Sequence, residues 1–282
     1  MRERISFISV LTMFLAIGFV IIFSRPVKAA ANGVQLKANR TYTAYDVTGD
    51  GMKDKIRIRA ANQTDDEAYS SLTVSVNGKT AYRLKNTRFY NVIANIYTLK
   101  NGQPFLYLYA PAENGDGPVC ALLKYTNGKF RKALDFTEIM AGYGNHRIGE
   151  VTNLNGNKIV ITESIVSYSL GINAINFTYE YVNGKFVPTS RYGSYKEIYS
   201  ADGSSRYFTV NSDLPAYTRP GATAVNTTLK TGSLTKIIKC ALINGKMYIQ
   251  LECDGEIYWI KALENPPIAD NERQFMEVRY AG

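Results

Sequence analysis

Oxygen-bearing side chains fall at the first, third, fifth and ninth places of the stretch Asp46-Val-Thr-Gly-Asp-Gly-Met-Lys-Asp54, as Asp46, Thr48, Asp50 and Asp54. A hard cation such as Ca²⁺ takes roughly six to eight oxygens, and a loop that folds alternate side chains inward supplies them. Gly51 stands at the sixth place, where a chain wrapping an ion turns sharply. The expected ligands of one Ca²⁺ are the side chains of Asp46, Thr48, Asp50 and Asp54 with the Met52 carbonyl. The same residues also make an Asx-turn cluster that needs no ion, because Asp and Gly are ordinary turn residues. The loop is not an EF-hand, whose twelfth place is a bidentate Glu; here that place is Arg57, inside a strand-like run.

Little else has the makings of a reaction centre. His146 is the single histidine, and no Gly-x-Ser-x-Gly signature supplies a nucleophile. One histidine and unclustered cysteines do not make a zinc site. Gly142, Gly144 and Gly149 lack the spacing of a phosphate cradle. Glycan hydrolases set two carboxyls about 5–10 Å apart; Asp135 and Glu138 are the nearest such pair, on a short helix expected over Ala133–Met140 and without a motif. A non-enzymatic protein is expected. The hairpin at Asn244-Gly245 places Cys240 opposite Ile249 and Cys253 opposite Lys236, too far apart for a bridge. Cys120, Cys240 and Cys253 are read as buried small apolar side chains.

Tyrosine is abundant, at 21 residues, and Phe105-Tyr107-Tyr109 and Phe177-Tyr179-Tyr181 each line one strand face. Exposed, such rows stack on sugar rings or prolines; packed between sheets, they are core.

The elements that must position these groups are strands. Asn-Gly, the strongest two-residue hairpin signal, recurs at Asn77, Asn101, Asn127, Asn155, Asn183 and Asn244 between runs of Val, Ile, Tyr and Phe. Leading strands begin at Lys55, Phe105 and Lys158, and the hairpin asparagines 77, 127 and 183 follow at intervals of 50 and 56 residues. Periods near 50 residues with several strands per unit are those of propeller blades. The Asp46–Asp54 loop, leading straight into Lys55-Ile-Arg-Ile-Arg59, resembles the Asp-rich loop of FG-GAP/VCBS-type repeats, with Thr48 where that family has a carboxylate or amide. The resemblance implies a Ca²⁺ site and blade-like units. Three units are fewer than a closed propeller needs, so an all-β, propeller-like assembly of three units is expected over residues 35–190.

The pattern changes after residues 191–206, read as a linker. Leu214-Pro-Ala-Tyr-Thr-Arg-Pro220, Leu229-Lys-Thr-Gly-Ser233 and Tyr258-Trp259-Ile260 resemble successive motifs of the bacterial SH3-like (SH3b) domain, without its Asn-Val-Arg core or the glycine before the Trp. The resemblance implies a small barrel over 207–265, with Tyr217, Tyr258 and Trp259 facing a peptide ligand. Residues 266–282 form a tail that packs back or frays.

Arg2 and Arg4 precede an uncharged run from Ile5 to Phe23, and Val27 and Ala29 suit cleavage after Ala29. Residues 1–29 are therefore a signal peptide, or an uncleaved anchor, since roughly 17–25 apolar residues span a bilayer. Its removal takes Arg2, Arg4, Arg25, Lys28 and Glu3 from totals of 33 basic and 24 acidic residues, leaving a net charge of +6. That excess suits an anionic wall polymer, a membrane surface or simply solvent. Scattered Lys and Arg on an exported chain exclude a nucleic-acid footprint. The function expected is an exported cell-surface binding protein, stabilised by Ca²⁺, that recognises a wall polymer, glycan or peptide. The alternatives are an accessory or inhibitor protein bound to another secreted protein, or a glycan hydrolase.

Overall fold

The computed structural model describes residues 33–280 apart from 65, 199, 202 and 204; the expected signal segment 1–29 lies outside the described residues. The protein is all-β, built of antiparallel sheets none of which closes on itself. Strand β1 (Val34–Leu36) precedes a first sheet of β2 (Thr41–Tyr45), β3 (Asp54–Gln63), β4 (Tyr69–Val76) and β5 (Lys79–Phe89). A second sheet joins β6 (Ile93–Thr98), β7 (Pro104–Ala110), β8 (Val119–Thr126) and β9 (Lys129–Asp135), with β1 on its edge beside β6.

Period-two alternation decides which face each strand buries. On β3, Ile56, Ile58 and Ala60 are buried while Lys55, Arg57 and Arg59 are exposed. The buried set meets Leu72, Val74 and Val76, then Leu106, Leu108 and Leu123 of the second sheet. Alternation fails on β7, where Phe105 through Ala110 are all buried, because the second sheet is a middle layer. Leu106 and Leu108 face the first sheet; Phe105, Tyr107 and Tyr109 face the third. Burying each large side chain of this kind stabilises the fold by about 1.5–3 kcal/mol. The two aromatic rows are therefore core: Phe105 and Tyr181 meet edge to face with ring centroids 4.9 Å apart.

The six Asn-Gly pairs lie at turns between consecutive strands. Asn77 and Gly78, at φ 50° and 78°, show why the dipeptide recurs: both positions are left-handed, as the type I′ hairpin turn demands. Asp254 and Gly255 make a further turn of this kind.

The third layer comprises β10 (Gly144–Asn155), β11 (Lys158–Ser167), β12 (Gly171–Val182), β13 (Lys185–Pro188), β14 (Tyr192–Ile198) and β15 (Tyr207–Thr209). After the two-stranded β16 (Leu214–Ala216) and β17 (Thr227–Leu229), strands β18 (Leu234–Ile243), β19 (Lys246–Cys253) and β20 (Glu256–Lys261) return to the same sheet. Its order is β10-β11-β12-β14-β18-β19-β20, with β13 on β12 and β15 on β18.

Residues 191–206 are not a free connector, because β14 pairs with β12 on one side and β18 on the other. The two expected modules thus share one sheet and one core, which runs from Phe177 through Tyr195 and Phe208 to Ile249. The helix expected over Ala133–Met140 is strand β9 to Asp135 followed by one 3₁₀ turn, Phe136–Glu138, because Phe136 is drawn into the core. Cys240 faces Ile249, but a bulge at Ile238 moves Cys253 from Lys236 to Thr235. All three cysteines are buried and free. The tail packs back: Phe275 is buried against Phe208, and the Thr209 N–H donates to the Glu277 carboxylate at 2.8 Å.

Candidate functional site

Where β14 joins β12 to β18, directly paired residues run in a row across the outer face. The row is Thr162 on β11, Asn176 on β12, Ser194 on β14, Lys239 on β18, Gln250 on β19 and Trp259 on β20. With strands about 4.8 Å apart, it extends about 24 Å. Beside it lies a groove of about 260 Å³ lined by Val160, Asn176, Thr178, Ser190, Tyr192, Gly193, Ser194 and Lys239. Gly193 makes the junction possible: a Cβ there would stand 2.5 Å from the Phe177 ring and 2.7 Å from Ile175. With Gly193 turned to the core, Tyr192 and Ser194 point outward.

Tyr192 is the aromatic that solvent meets, at 37% exposure against 4% for Trp259. Its ring lies 5.9 Å from that of Trp259, and the Lys239 ammonium sits 4.5 Å from its centroid. Tyr217 and Trp259 are brought together by reciprocal backbone hydrogen bonds of 2.8 and 2.9 Å, and both are buried with Ala241 and Tyr248. Tyr258 is turned to the opposite face, against the main core. The three aromatics expected to face a ligand are thus divided between two faces. Tyr192, which covers Trp259, had been hidden from sequence reasoning inside the supposed linker.

The acidic loop closes on itself. The Asp46 carboxylate accepts from the N–H groups of Gly49 at 2.6 Å, Asp50 at 3.2 Å and Gly51 at 2.8 Å. Slight desolvation pushes its carboxyl up, but these donors and the Thr48 hydroxyl outweigh that and hold it below the usual range. Asp54 is buried and accepts from the N–H groups of Val47 and Thr48 and from the Asn77 amide. Thr48 Oγ1 lies 3.3 Å from both Asp46 Oδ1 and Asp54 Oδ1, near the about 3.3–3.7 Å edge of a Ca²⁺ shell. These contacts bring Asp46, Thr48 and Asp54 together, with the carboxylate oxygens taken by backbone N–H, amide and hydroxyl donors. Asp50 turns its Oδ1 instead to the Met52 N–H, at 2.8 Å. Among the described residues no three His, Cys, Asp or Glu side chains are grouped to hold a metal.

No protein-family profile, curated protein or solved structure matches this chain.

His146 has a partner that sequence reasoning missed. Its Nε2 lies 3.0 Å from Oε2 of Glu163, which is fully buried between the second and third sheets. Gly149 faces Glu163 across the strand pair; a Cβ there would stand 2.5 Å from Oε1, so only glycine leaves room for the carboxyl. Burial pushes the nearby Cys120 thiol up to about 12, which leaves it protonated and unreactive at neutral pH. Asp135 caps the 3₁₀ turn through the Thr137 N–H, and Lys132 is paired with it. It is thereby committed to structure. Among the described residues no helix is long and apolar enough to cross a membrane.

Proposed function

We propose that the protein is an exported cell-surface binding protein that takes a wall glycan across the outer face of its third sheet. The observation that carries this reading is the groove at Tyr192 and Lys239. It joins one exposed aromatic ring and one ammonium to the hydroxyls of Thr178, Ser190 and Ser194 and the amide of Asn176. Polyhydroxylated ligands need this combination, an apolar contact for the ring face and donors and acceptors around its rim. Export rests on Arg2, Arg4 and the apolar run to Phe23.

Two finer features of the architecture belong to the same proposal. Four consecutive strands in each layer, β2–β5, β6–β9 and β10–β13, support a propeller-like arrangement of three blade units. The Tyr217–Trp259 bridge, which curls β16 and β17 towards β20, supports an open SH3-like barrel fused to the third unit. Ca²⁺ held by Asp46, Thr48 and Asp54 would brace the first unit, away from the groove.

Co-sedimentation of residues 30–282 with purified peptidoglycan tests the reading. The wild type should pellet, and a Tyr192→Ala, Lys239→Ala double variant should bind about tenfold more weakly. A wild type that stays in the supernatant rejects the proposal.

A further inference from the structure

The outer face of the first sheet carries a different chemistry. Direct pairing sets Arg59 beside Thr73 and Thr73 beside Arg83; one step along, Ala61 pairs with Ser71 and Ser71 with Lys85. In the other direction Arg57 pairs with Ser75 and Ser75 with Thr80. Cations on β3 and β5 therefore flank a central column of hydroxyls on β4. Two strand spacings put the cation columns about 10 Å apart, and residues two apart on one strand about 7 Å apart. The result is a trough of about 420 Å³ along β4, whose lining includes Arg59, Ser71, Thr73, Arg83 and Lys85 and no carboxylate.

Arg57, Arg59, Arg83 and Lys85 are exposed, and among the described residues no carboxylate lies within ion-pair distance of any of them. Past Ser70 and Asn86 the adjoining hollow contains Asp66, whose carboxylate is taken by Arg88. Four like charges on one small sheet repel one another, and among the described residues no carboxylate pairs with them to offset that cost. An anionic partner does.

We propose that this trough binds an extended linear polyanion, laid along β4 with its charges between the two cation columns and its backbone on Ser71, Thr73 and Ser75. A polymer fits better than a membrane, because Ala61 is the only apolar side chain among these paired outward positions and gives a bilayer nothing to insert. The ligand class and the face differ from those of the glycan groove, so the two proposals stand or fall separately.

The test uses residues 30–282 with two soluble probes, inorganic polyphosphate and poly-L-glutamate, and with phosphatidylglycerol vesicles. The wild type should bind one or both polymers, with affinity falling steeply in salt at a log–log slope of roughly −3 for four cations. An Arg59→Glu, Arg83→Glu variant should lose at least about tenfold in affinity and flatten that slope. A Lys185→Glu, Lys246→Glu variant, with the same change in net charge elsewhere, should lose far less, and Tyr192→Ala should leave polymer binding unchanged. Preference for polyphosphate or for poly-L-glutamate assigns the anion as phosphate or carboxylate. Equal loss in the two charge-reversal variants, binding to neither polymer, or binding to vesicles alone overturns the proposal. Unchanged melting midpoints for both double variants exclude unfolding as the cause.

Discussion

His146 Nε2 and Glu163 Oε2 approach to 3.0 Å across β10 and β11, in surroundings that disfavour the charged form of each. Burial pushes the Glu163 carboxyl well up, helped by the nearby Asp135 charge. Burial likewise pushes His146 down, against the opposing pull of Asp135 and Asp116. The geometry resembles a salt bridge, but desolvation prevails. Burial thus favours the protonated acid and the neutral imidazole.

The sign of the pH dependence follows from these directions. A raised carboxyl binds its proton more tightly in the folded protein, so the stability it contributes is lost as pH rises from the ordinary Glu value through the folded one. A lowered His does the reverse, costing stability as pH falls below about 6.5. Glu163→Gln, which mimics the protonated acid, should cost about 1 kcal/mol at pH 6 and less than that at pH 9. A loss of about 3–5 kcal/mol at neutral pH, as when a buried ion pair is broken, would falsify the neutral pair.

In the acidic loop, Asp54→Ala should cost about 3 kcal/mol, because a buried carboxylate leaves the Val47, Thr48 and Asn77 donors without a partner. Asp50→Ala should cost under about 1 kcal/mol, since its side chain serves only the Met52 N–H. If Asp46, Thr48 and Asp54 hold Ca²⁺, added Ca²⁺ raises the melting midpoint of the wild type and not of Asp46→Ala. A midpoint indifferent to Ca²⁺ and chelator removes the ion from the account.

Trp259 and Tyr192 touch, but their substitution should be felt in different measurements. Trp259→Ala should destabilise by about 3–5 kcal/mol, as large core truncations do. Tyr192→Ala should stay within about 1 kcal/mol in urea unfolding and be visible in ligand binding instead. The reverse pattern would show that Tyr192 is a structural cover and the groove is not a site.

The continuity through β14 predicts a single cooperative unit from the third layer to the tail. Calorimetry of residues 30–282 should give no separate transition for 207–265, and that fragment alone should not fold, since its Phe208, Ile237 and Ile249 pack in a core shared with Phe177 and Tyr195. A soluble fragment with a sharp melting transition of its own rejects this. Gly193→Ala should destabilise by about 1–3 kcal/mol, because its methyl group meets Phe177.

Local chemistry made the turns and strand faces legible. Asn-Gly at 77, 127, 183 and 244 supplies the two left-handed residues that its hairpin turn needs, and the alternation from Lys55 to Ala60 states which side of β3 is wet. The closed network of Asp46 was also implicit in its spacing. What the sequence could not determine was pairing between distant segments. Ser194 meets Asn176 and Lys239 at separations of 18 and 45 residues, and no local preference encodes such a meeting. Tertiary packing also decided that Trp259 lies beneath Tyr192 and that His146 reaches Glu163 in a water-poor interface. Register and burial of that kind belong to the whole fold, because they depend on which apolar faces remain to be covered once every local preference is satisfied.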